Sequence, residues 1–289
     1  MLGKAKRGFW YLVGGMFPTW YSGYLYQKAF GRKLNLDDPS GLNEKIMWLK
    51  LNTYRNNPLV TQCSDKYAVR QYVRDMGCGE ILNELHGVWN RSGEIDWEQL
   101  PEQFVLKCNH GSGYNRICRS KKELDIPACR RQLDKWMRRD FWRFSAEVQY
   151  KGIPKRIICE KMLDSPEGLT DYKFYCFHGE PYCVLVCYER ERGWPHFNFF
   201  DEDWNFLPIS WEGKLESPDF TLPKPPQLKE MFDYARKLSA PFPFVRVDLY
   251  DVDGRVVFGE LTFTPAAALD TARPADTDRM FGAMLNIRQ

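Results

Sequence analysis

The stretch Phe244-Val-Arg-Val-Asp-Leu-Tyr-Asp-Val-Asp-Gly-Arg-Val-Val-Phe-Gly-Glu-Leu-Thr-Phe263 constrains this chain more than any other. Apolar and polar residues alternate on either side of an Asp-Gly pair, the pattern of two strands joined by a tight turn. Val245, Val247 and Leu249 share one face; Arg246, Asp248 and Tyr250 share the other. On the return strand Glu260 and Thr262 alternate with Leu261 and Phe263. Whether the carboxylates of Asp248 and Glu260 meet depends on the turn. A two-residue Asp253-Gly254 turn sets them on opposite faces unless a bulge corrects the register; a three-residue loop with a left-handed Gly254 brings them together. Brought together, they form an oxygen platform suited to Mg²⁺, which takes a few carboxylates and fills its other positions with phosphate and water. Kept apart, they are solvated acids of a surface hairpin.

At 289 residues the chain is long enough for a full core in one compound domain or two to three lobes. Its hydrophobic content of 44% and aromatic content of 15% are those of a folded protein, and a net charge of +3 gives no footprint for nucleic acid. Nine cysteines, none spaced Cys-x-x-Cys, sit largely in apolar runs (Cys108, Cys159, Cys176, Cys183, Cys187). That is the pattern of buried thiols in a reducing compartment rather than of a disulfide framework. Cys183 and Cys187 with His178 or His196 lack the second ligand pair of a zinc site. The apolar segment Phe9 to Phe17 follows Lys4, Lys6 and Arg7 but is broken by Gly14-Gly15 and followed by no small-residue cleavage site. The expected location is therefore cytoplasmic. The basic, aromatic N-terminus fits either a helix packed on the body, the simpler reading, or one lying at the inner face of the membrane.

Residues 1–85 read as mainly helical, with Ser40 or Asn43 capping a helix that carries Ile46, Met47, Leu49 and Leu51, and Ser64 capping another. Strands are expected at Phe104–Cys108 and Arg116–Cys118, then a helical stretch from Lys121 to Tyr150. Further strands are expected at Arg156–Cys159, Asp171–Phe177, Tyr182–Tyr188 and Phe197–Phe200. Pro208–Pro226 reads as an irregular loop, Leu228–Leu238 as a helix, and Thr277–Ile287 as a last helix. No repeat or low-complexity tract interrupts this order, which is that of an α+β protein.

Three segments carry chemistry. Phe104-Val-Leu-Lys107 followed by Gly111-Ser112-Gly113 puts a lysine and a glycine-rich loop at a strand end, where backbone N–H groups can approach phosphate, although this is also the form of a plain hairpin turn. It is not a P-loop, because Gly-x-x-x-x-Gly-Lys is absent. Ile157-Ile-Cys-Glu-Lys-Met-Leu163 is a buried strand whose end leaves backbone groups free to read an adenine edge, or merely exits the sheet. Asp171 and Lys173 share a strand face, so Lys173 is either a second phosphate lysine or half of a cross-strand ion pair.

In this order the segments resemble the ATP-grasp superfamily, in which two α+β lobes hold ATP between them. The resemblance is closer to its TupA-like branch, associated with teichuronopeptide and other bacterial cell-surface polysaccharides. It rests on Leu42-Asn-Glu-Lys-Ile46, Trp48-Leu-Lys50, Asp65-Lys-Tyr-Ala-Val-Arg70, Phe104-Val-Leu-Lys-Cys-Asn-His-Gly-Ser-Gly113, Asp171-Tyr-Lys-Phe-Tyr-Cys-Phe-His-Gly-Glu180, Arg246-Val-Asp248 and Gly259-Glu-Leu-Thr-Phe263, covering roughly residues 35 to 270. It implies a helical region over 1–85, a lobe with the glycine-rich flap over 86–165 and a lobe with the metal-binding hairpin over 166–289. It implies nucleotide contacts from Lys107, Gly111, Ser112, Gly113 and Lys161, an adenine hinge at Glu160, Met162 and Leu163, and a ribose contact from Glu167. Asp248, Glu260 and Thr262 would hold Mg²⁺, with Thr262 standing where many members have Asn. Lys173 would neutralise the moving phosphoryl group and Arg246 would steady the oxyanion. Pro265-Ala-Ala-Ala268 replaces the usual glycine-rich segment.

The implied activity is ATP-dependent ligation of a carboxylate, such as a uronic acid or glutamate, to an amine, in contact with membrane-bound polysaccharide machinery and without nucleic acid. Two rivals remain at this stage. Asp201-Glu-Asp203 after an apolar strand is a metal motif of glycosyltransferases that use nucleotide sugars. Thr262 and the alanine run are compatible with a non-catalytic assembly protein. Arg130, Arg131, Arg138, Arg139 and Arg143, interleaved with Trp136 and Trp142, form either an acidic-polymer surface or a solvated helix face with packed rings.

Overall fold

A computed structural model describes residues 2–164, 168–189, 193 and 195–288, leaving aside the side chains of residues 2–7. Helices α1 (Leu2–Met16), α2 (Pro18–Phe30), α3 (Leu42–Leu51), α4 (Pro58–Ser64) and α5 (Val69–Asp75) precede two antiparallel sheets. The smaller sheet comprises β1 (Leu85–Trp89), β2 (Phe104–Cys108), β3 (Asn115–Cys118) and β4 (Ile157–Lys161) in the order β1-β4-β2-β3. Helix α6 (Ile126–Met137) lies between β3 and β4 in the chain and packs Cys129 and Leu133 into the core of that sheet. The larger sheet comprises β5 (Asp171–Phe177), β6 (Glu180–Tyr188), β7 (His196–Phe200), β8 (Phe206–Leu207), β9 (Phe244–Val252) and β10 (Arg255–Thr262) in the order β10-β9-β5-β6-β7-β8. Helix α7 (Leu228–Ser239) precedes β9, and α8 (Ala275–Met284) ends the fold.

The two-residue period of β5 and β9 explains how the larger sheet divides its faces. Phe174, Cys176, Val245, Val247 and Leu249 are fully buried against α7, where Phe174 meets Phe232 edge to face at 4.9 Å. The opposite face carries Asp171, Lys173, Arg246, Asp248 and Tyr250, with Lys173 directly across from Asp248. The early helices share the core of this sheet: Ile46, Met47, Tyr54, Val60 and Val73 belong to the same buried cluster as Phe244 and Phe263.

Several local expectations differ from the structure. The stretch from Lys121 to Tyr150 is not one helix, because Pro127 fixes the start of α6, where Asp125 caps it by accepting from the Ala128 N–H at 2.8 Å. After α6 the chain makes short 3₁₀ turns at Phe141–Arg143 and Val148–Tyr150. Neither Ser40 nor Asn43 caps α3. The Asn43 side chain instead donates to Asp278 Oδ1 at 2.9 Å, tying α3 to α8. Ser64 ends α4, its hydroxyl donating to the Val60 carbonyl, and Asp65 organises the next turn through the Tyr67 and Ala68 N–H groups. All nine cysteines are buried and unpaired with one another.

Candidate functional site

The hairpin resolves the register question. Asp253 and Gly254 form a two-residue turn with φ of 52° and 75°, as a primed turn requires, and Val252 pairs with Arg255. That register holds to Leu249–Phe258; then Gly259 is skipped, and Glu260 pairs with Asp248. The bulge moves Glu260 onto the face of Asp248 and Lys173. Glycine is needed there, because a Cβ at Gly259 would stand 2.8 Å from the Asp248 carbonyl oxygen.

A cleft of about 340 Å³ lies between the sheets, lined by Lys66, Arg70, Lys107, Ser112, Gly113, Glu160, Asp171, Lys173, Asp248 and Glu260, among others. Its charges are matched across elements. Arg246 grips Asp248 with two bonds, Nε to Oδ1 at 2.7 Å and Nη2 to Oδ2 at 2.6 Å. Lys173 reaches Asp248 at 3.1 Å and Asp171 at 3.2 Å. Glu160 is held by Lys107 at 2.6 Å and Arg70 at 3.3 Å, which makes one site of β2, β4 and α5. Glu260 receives Lys66 at 2.7 Å and the Thr262 hydroxyl at 3.4 Å, and that hydroxyl accepts from Arg246 at 3.3 Å.

The electrostatics follow from these contacts. The Lys66 ammonium outweighs burial and, with Arg246 and Lys173, holds the Glu260 carboxyl down to about 2. Burial opposes the charges on Lys66 and Lys173, but Glu260 and Asp248 respectively more than offset it, so both stay cationic. Arg246 is raised in the same way by Asp248.

Lys66 escaped the sequence reading although its motif, Asp65-Lys-Tyr-Ala-Val-Arg70, was noticed. A lysine between two short helices has no local signature, and the contact to Glu260 spans 194 positions. The Lys66 loop is fixed to the flap, since the Asn109 amide donates to Asp65 at 2.7 Å and to the Pro154 carbonyl at 2.9 Å. Ser112 and left-handed Gly113 line the cleft, whereas Gly111 packs under Phe141, where a Cβ would sit 2.6 Å from the ring.

Next to the polar cleft lies a more apolar slot formed by Val105, Ile117, Met162, Leu163, Leu169 and Tyr250, with Lys161 at its margin. Lys107 and Leu163 border both spaces. The Lys161 carbonyl accepts from the Asn83 amide at 2.9 Å. Glu167 lies outside the described residues. A third space shares Lys173 with the polar cleft and is lined by Arg246 and walled by Leu185, Phe197, Phe199 and Trp211. The arrangement is an apolar slot, a polar cleft of balanced charge and a second cleft in series.

The donor set fits the group that such a polar cleft implies. Asp248, Glu260 and the Thr262 hydroxyl are all-oxygen donors on one face, the preference of Mg²⁺, and two carboxylates leave positions for phosphate. Among the described residues, no group of three or more His, Cys, Asp or Glu side chains is placed to hold a metal by protein alone. Asp201 is committed elsewhere: it accepts from the N–H groups of Asp203 and Asn205 and from the Asn205 amide, tying the β7–β8 turn.

Over residues 44–286 the sequence matches the family described as TupA-like ATP-grasp, and the chain belongs to that family. Its fold is accordingly the α+β ATP-grasp fold, preceded here by helices. Solved structures that it is similar to include a D-alanine–D-alanine ligase from Helicobacter pylori, at 15% identity and a TM-score of 0.48, covering 78% of this chain and 61% of that one. Another is a D-alanine–D-alanine ligase from Bacillus anthracis complexed with ATP, at 14% identity and a TM-score of 0.48, covering 84% of this chain and 64% of that one. A third is an N5-carboxyaminoimidazole synthase from Aspergillus clavatus, at 14% identity and a TM-score of 0.41, covering 70% of this chain and 44% of that one. The chain thus spans between 44% and 64% of the length of these proteins. No curated protein matches the sequence significantly.

Proposed function

We propose that this protein is an ATP-dependent carboxylate–amine ligase working through an acyl phosphate, with a nucleotide lobe over 86–165 and a catalytic lobe over 166–289. The observation that carries the reading is the meeting of Asp248 and Glu260 on one sheet face, with Lys173 lining both this cleft and the next, where Arg246 joins it. The apolar slot would take the adenine base, with Glu160, Met162 and Leu163 at its edge and Glu167 toward the ribose. Lys66, Lys107, Lys161, Lys173, Gly111, Ser112 and Gly113 would hold the phosphate chain. Asp248, Glu260 and Thr262 would hold Mg²⁺, which when bound supplies positive charge to the phosphoryl group in transfer.

The acceptor carboxylate would enter by the cleft that Lys173 and Arg246 line. Lys173 would lower its repulsion toward the phosphate chain. Its attack on the γ-phosphorus would form the acyl phosphate and release ADP. An amine would then attack the acyl carbon, lose a proton and expel phosphate, with Arg246 stabilising the tetrahedral oxyanion. Phe197, Phe199 and Trp211 on the wall of this cleft suit stacking on a sugar ring, which favours a uronic acid of a cell-surface polysaccharide as acceptor.

The test is thermal stabilisation by Mg²⁺ with ATP, ADP or nucleotide sugars, followed by phosphate release with uronic acids and amino acids and mass analysis of products. Stabilisation by adenine nucleotides that fails in Glu260→Gln, together with an amide product, is expected. Response to a nucleotide sugar alone would overturn the reading.

A further inference from the structure

The N-terminal helical hairpin has a face that neither the fold nor the proposed reaction uses. Helices α1 and α2 reverse direction at Phe17–Pro18, so that Trp10 stacks on Tyr24 at 4.3 Å and on Tyr21 at 5.6 Å. The inner side of α1 closes on the turn after α6 so tightly that a Cβ at Gly14 would meet the Arg143 carbonyl oxygen at 2.1 Å. The Asp140 N–H donates to the Tyr11 hydroxyl at 2.9 Å. These contacts attach the hairpin to the body.

Its outer side is different. Phe9, Leu12 and Met16, spaced i, i+3 and i+7, form one stripe that Phe17 and Trp20 continue past the bend, and all five are between 56% and 68% exposed. Folded proteins seldom leave such a run of large apolar side chains in water without a partner. The charge around it is of one sign. Residues 1–36 hold Lys4, Lys6, Arg7, Lys28, Arg32 and Lys33 and no acidic residue, while the whole chain is only +3, so the remainder is net negative. Arg32 is spoken for by Glu44. Exposed Arg139 adds a cation at the border, lying over Phe144, which packs on Tyr11 at 5.1 Å.

We propose that this hairpin is a peripheral membrane anchor, which inserts Leu12, Met16, Phe17 and Trp20 among the headgroups of anionic phospholipids. Tryptophan and bulky aliphatics favour that boundary, and lysines and arginines are drawn to an anionic surface. A second copy of the hairpin would set like charge against like. Among the described residues no helix is long and apolar enough to cross a membrane, so the contact is with one surface.

Flotation of the full chain with vesicles of phosphatidylcholine, with and without phosphatidylglycerol, tests this. Binding should need phosphatidylglycerol, weaken several-fold when salt is raised from about 0.05 to 0.5 M, and fall at least tenfold in the triple variant Leu12→Ser, Met16→Ser, Phe17→Ser. Arg139→Gln should weaken it less. The triple variant should keep the melting temperature and ATP turnover of the parent, because Leu12, Met16 and Phe17 are each more than half exposed. Failure to float, equal flotation of the triple variant, or a dimer that the same substitutions dissolve in place of flotation would each overturn the proposal.

Discussion

Glu260 faces Asp248 across the hairpin because Gly259 stands outside the ladder between them. Were Gly259 paired instead of bulged, the register of the turn would set it opposite Asp248 and send Glu260 into the apolar core. The face that carries both carboxylates is thus made by a bulge, and the bulge is made by a residue without a Cβ.

Substituting Gly259→Ala should therefore damage structure and activity together. The added methyl would meet the Asp248 carbonyl at 2.8 Å and the Tyr250 ring at 3.0 Å. We expect destabilisation of about 1–3 kcal/mol, as for an overpacked core, with loss of ATP turnover. Denaturant unfolding and phosphate release measure the two; full turnover at unchanged stability would remove the bulge from the argument.

The two carboxylates should respond differently to neutralisation. Asp248 has a side chain 4% exposed and balances Arg246 and Lys173, so Asp248→Asn leaves the shielded Arg246 without its carboxylate and Lys173 with Asp171 alone. A cost on the order of 3 kcal/mol is expected. The Glu260 side chain is 42% exposed, and Glu260→Gln should cost less than about 1 kcal/mol. Both should lower ATP turnover by roughly 100-fold or more. Equal destabilisation by the two variants would contradict this division of labour.

Lys66 gives an acid-side test. The Glu260 carboxyl, held at about 2 by Lys66 first, lies below its ordinary 4.5. A depressed carboxyl adds stability that is complete above its unfolded value and is lost as pH falls toward its folded one. The stability difference between the parent and Lys66→Met should thus be constant above pH 4.5 and shrink between there and about pH 2. Acid titration of melting temperature would read it, and a gap indifferent to pH would rule out the pair.

Much of this site was legible in the sequence because its parts sit on strands, where alternation by two assigns a face. Arg246 could be set beside Asp248, and Asp171 beside Lys173, from that period alone, though not the pairing of their two strands, and β2 with its flap was visible as an apolar run ending in Lys107 and Gly-Ser-Gly. What stayed hidden was long-range. The choice between turn and bulge is a matter of one residue, which alternation does not decide. Lys66, in the turn between two short helices, and Arg70, in the second of them, had only a motif as their mark, and their carboxylate partners are far along the chain. The helical stretch expected over 121–150 is too long because Pro127 fixes the start of the element, which runs only from Ile126 to Met137.

The alanine run after β10 points to a further device, away from the polar cleft. Ala266, Ala267 and Ala268 all have positive φ, at 49°, 57° and 63°, a conformation that costs an L-residue roughly 1–2 kcal/mol each. The fully buried Lys50 holds the segment: its ammonium donates to the Ala267 carbonyl at 3.4 Å and to the Ser145 carbonyl at 3.0 Å. Burial pushes Lys50 down to about 8, with Glu147 only partly opposing it. Since its ordinary value is 10.5, the unfolded chain binds the extra proton between these limits, and this group makes stability rise with pH from about 8 to 10.5. Lys50→Met should remove that rise and, by leaving the Ser145 and Ala267 carbonyls without their donor, loosen the alanine segment. Because Pro265 and Ala266 line the cleft proposed for the acceptor, the variant should also raise the KM for the carboxylate more than the KM for ATP. Unfolding curves of parent and variant across that alkaline window, with both KM values at pH 7, decide it: parallel curves and unchanged constants would show that Lys50 neither carries the charge nor braces the loop.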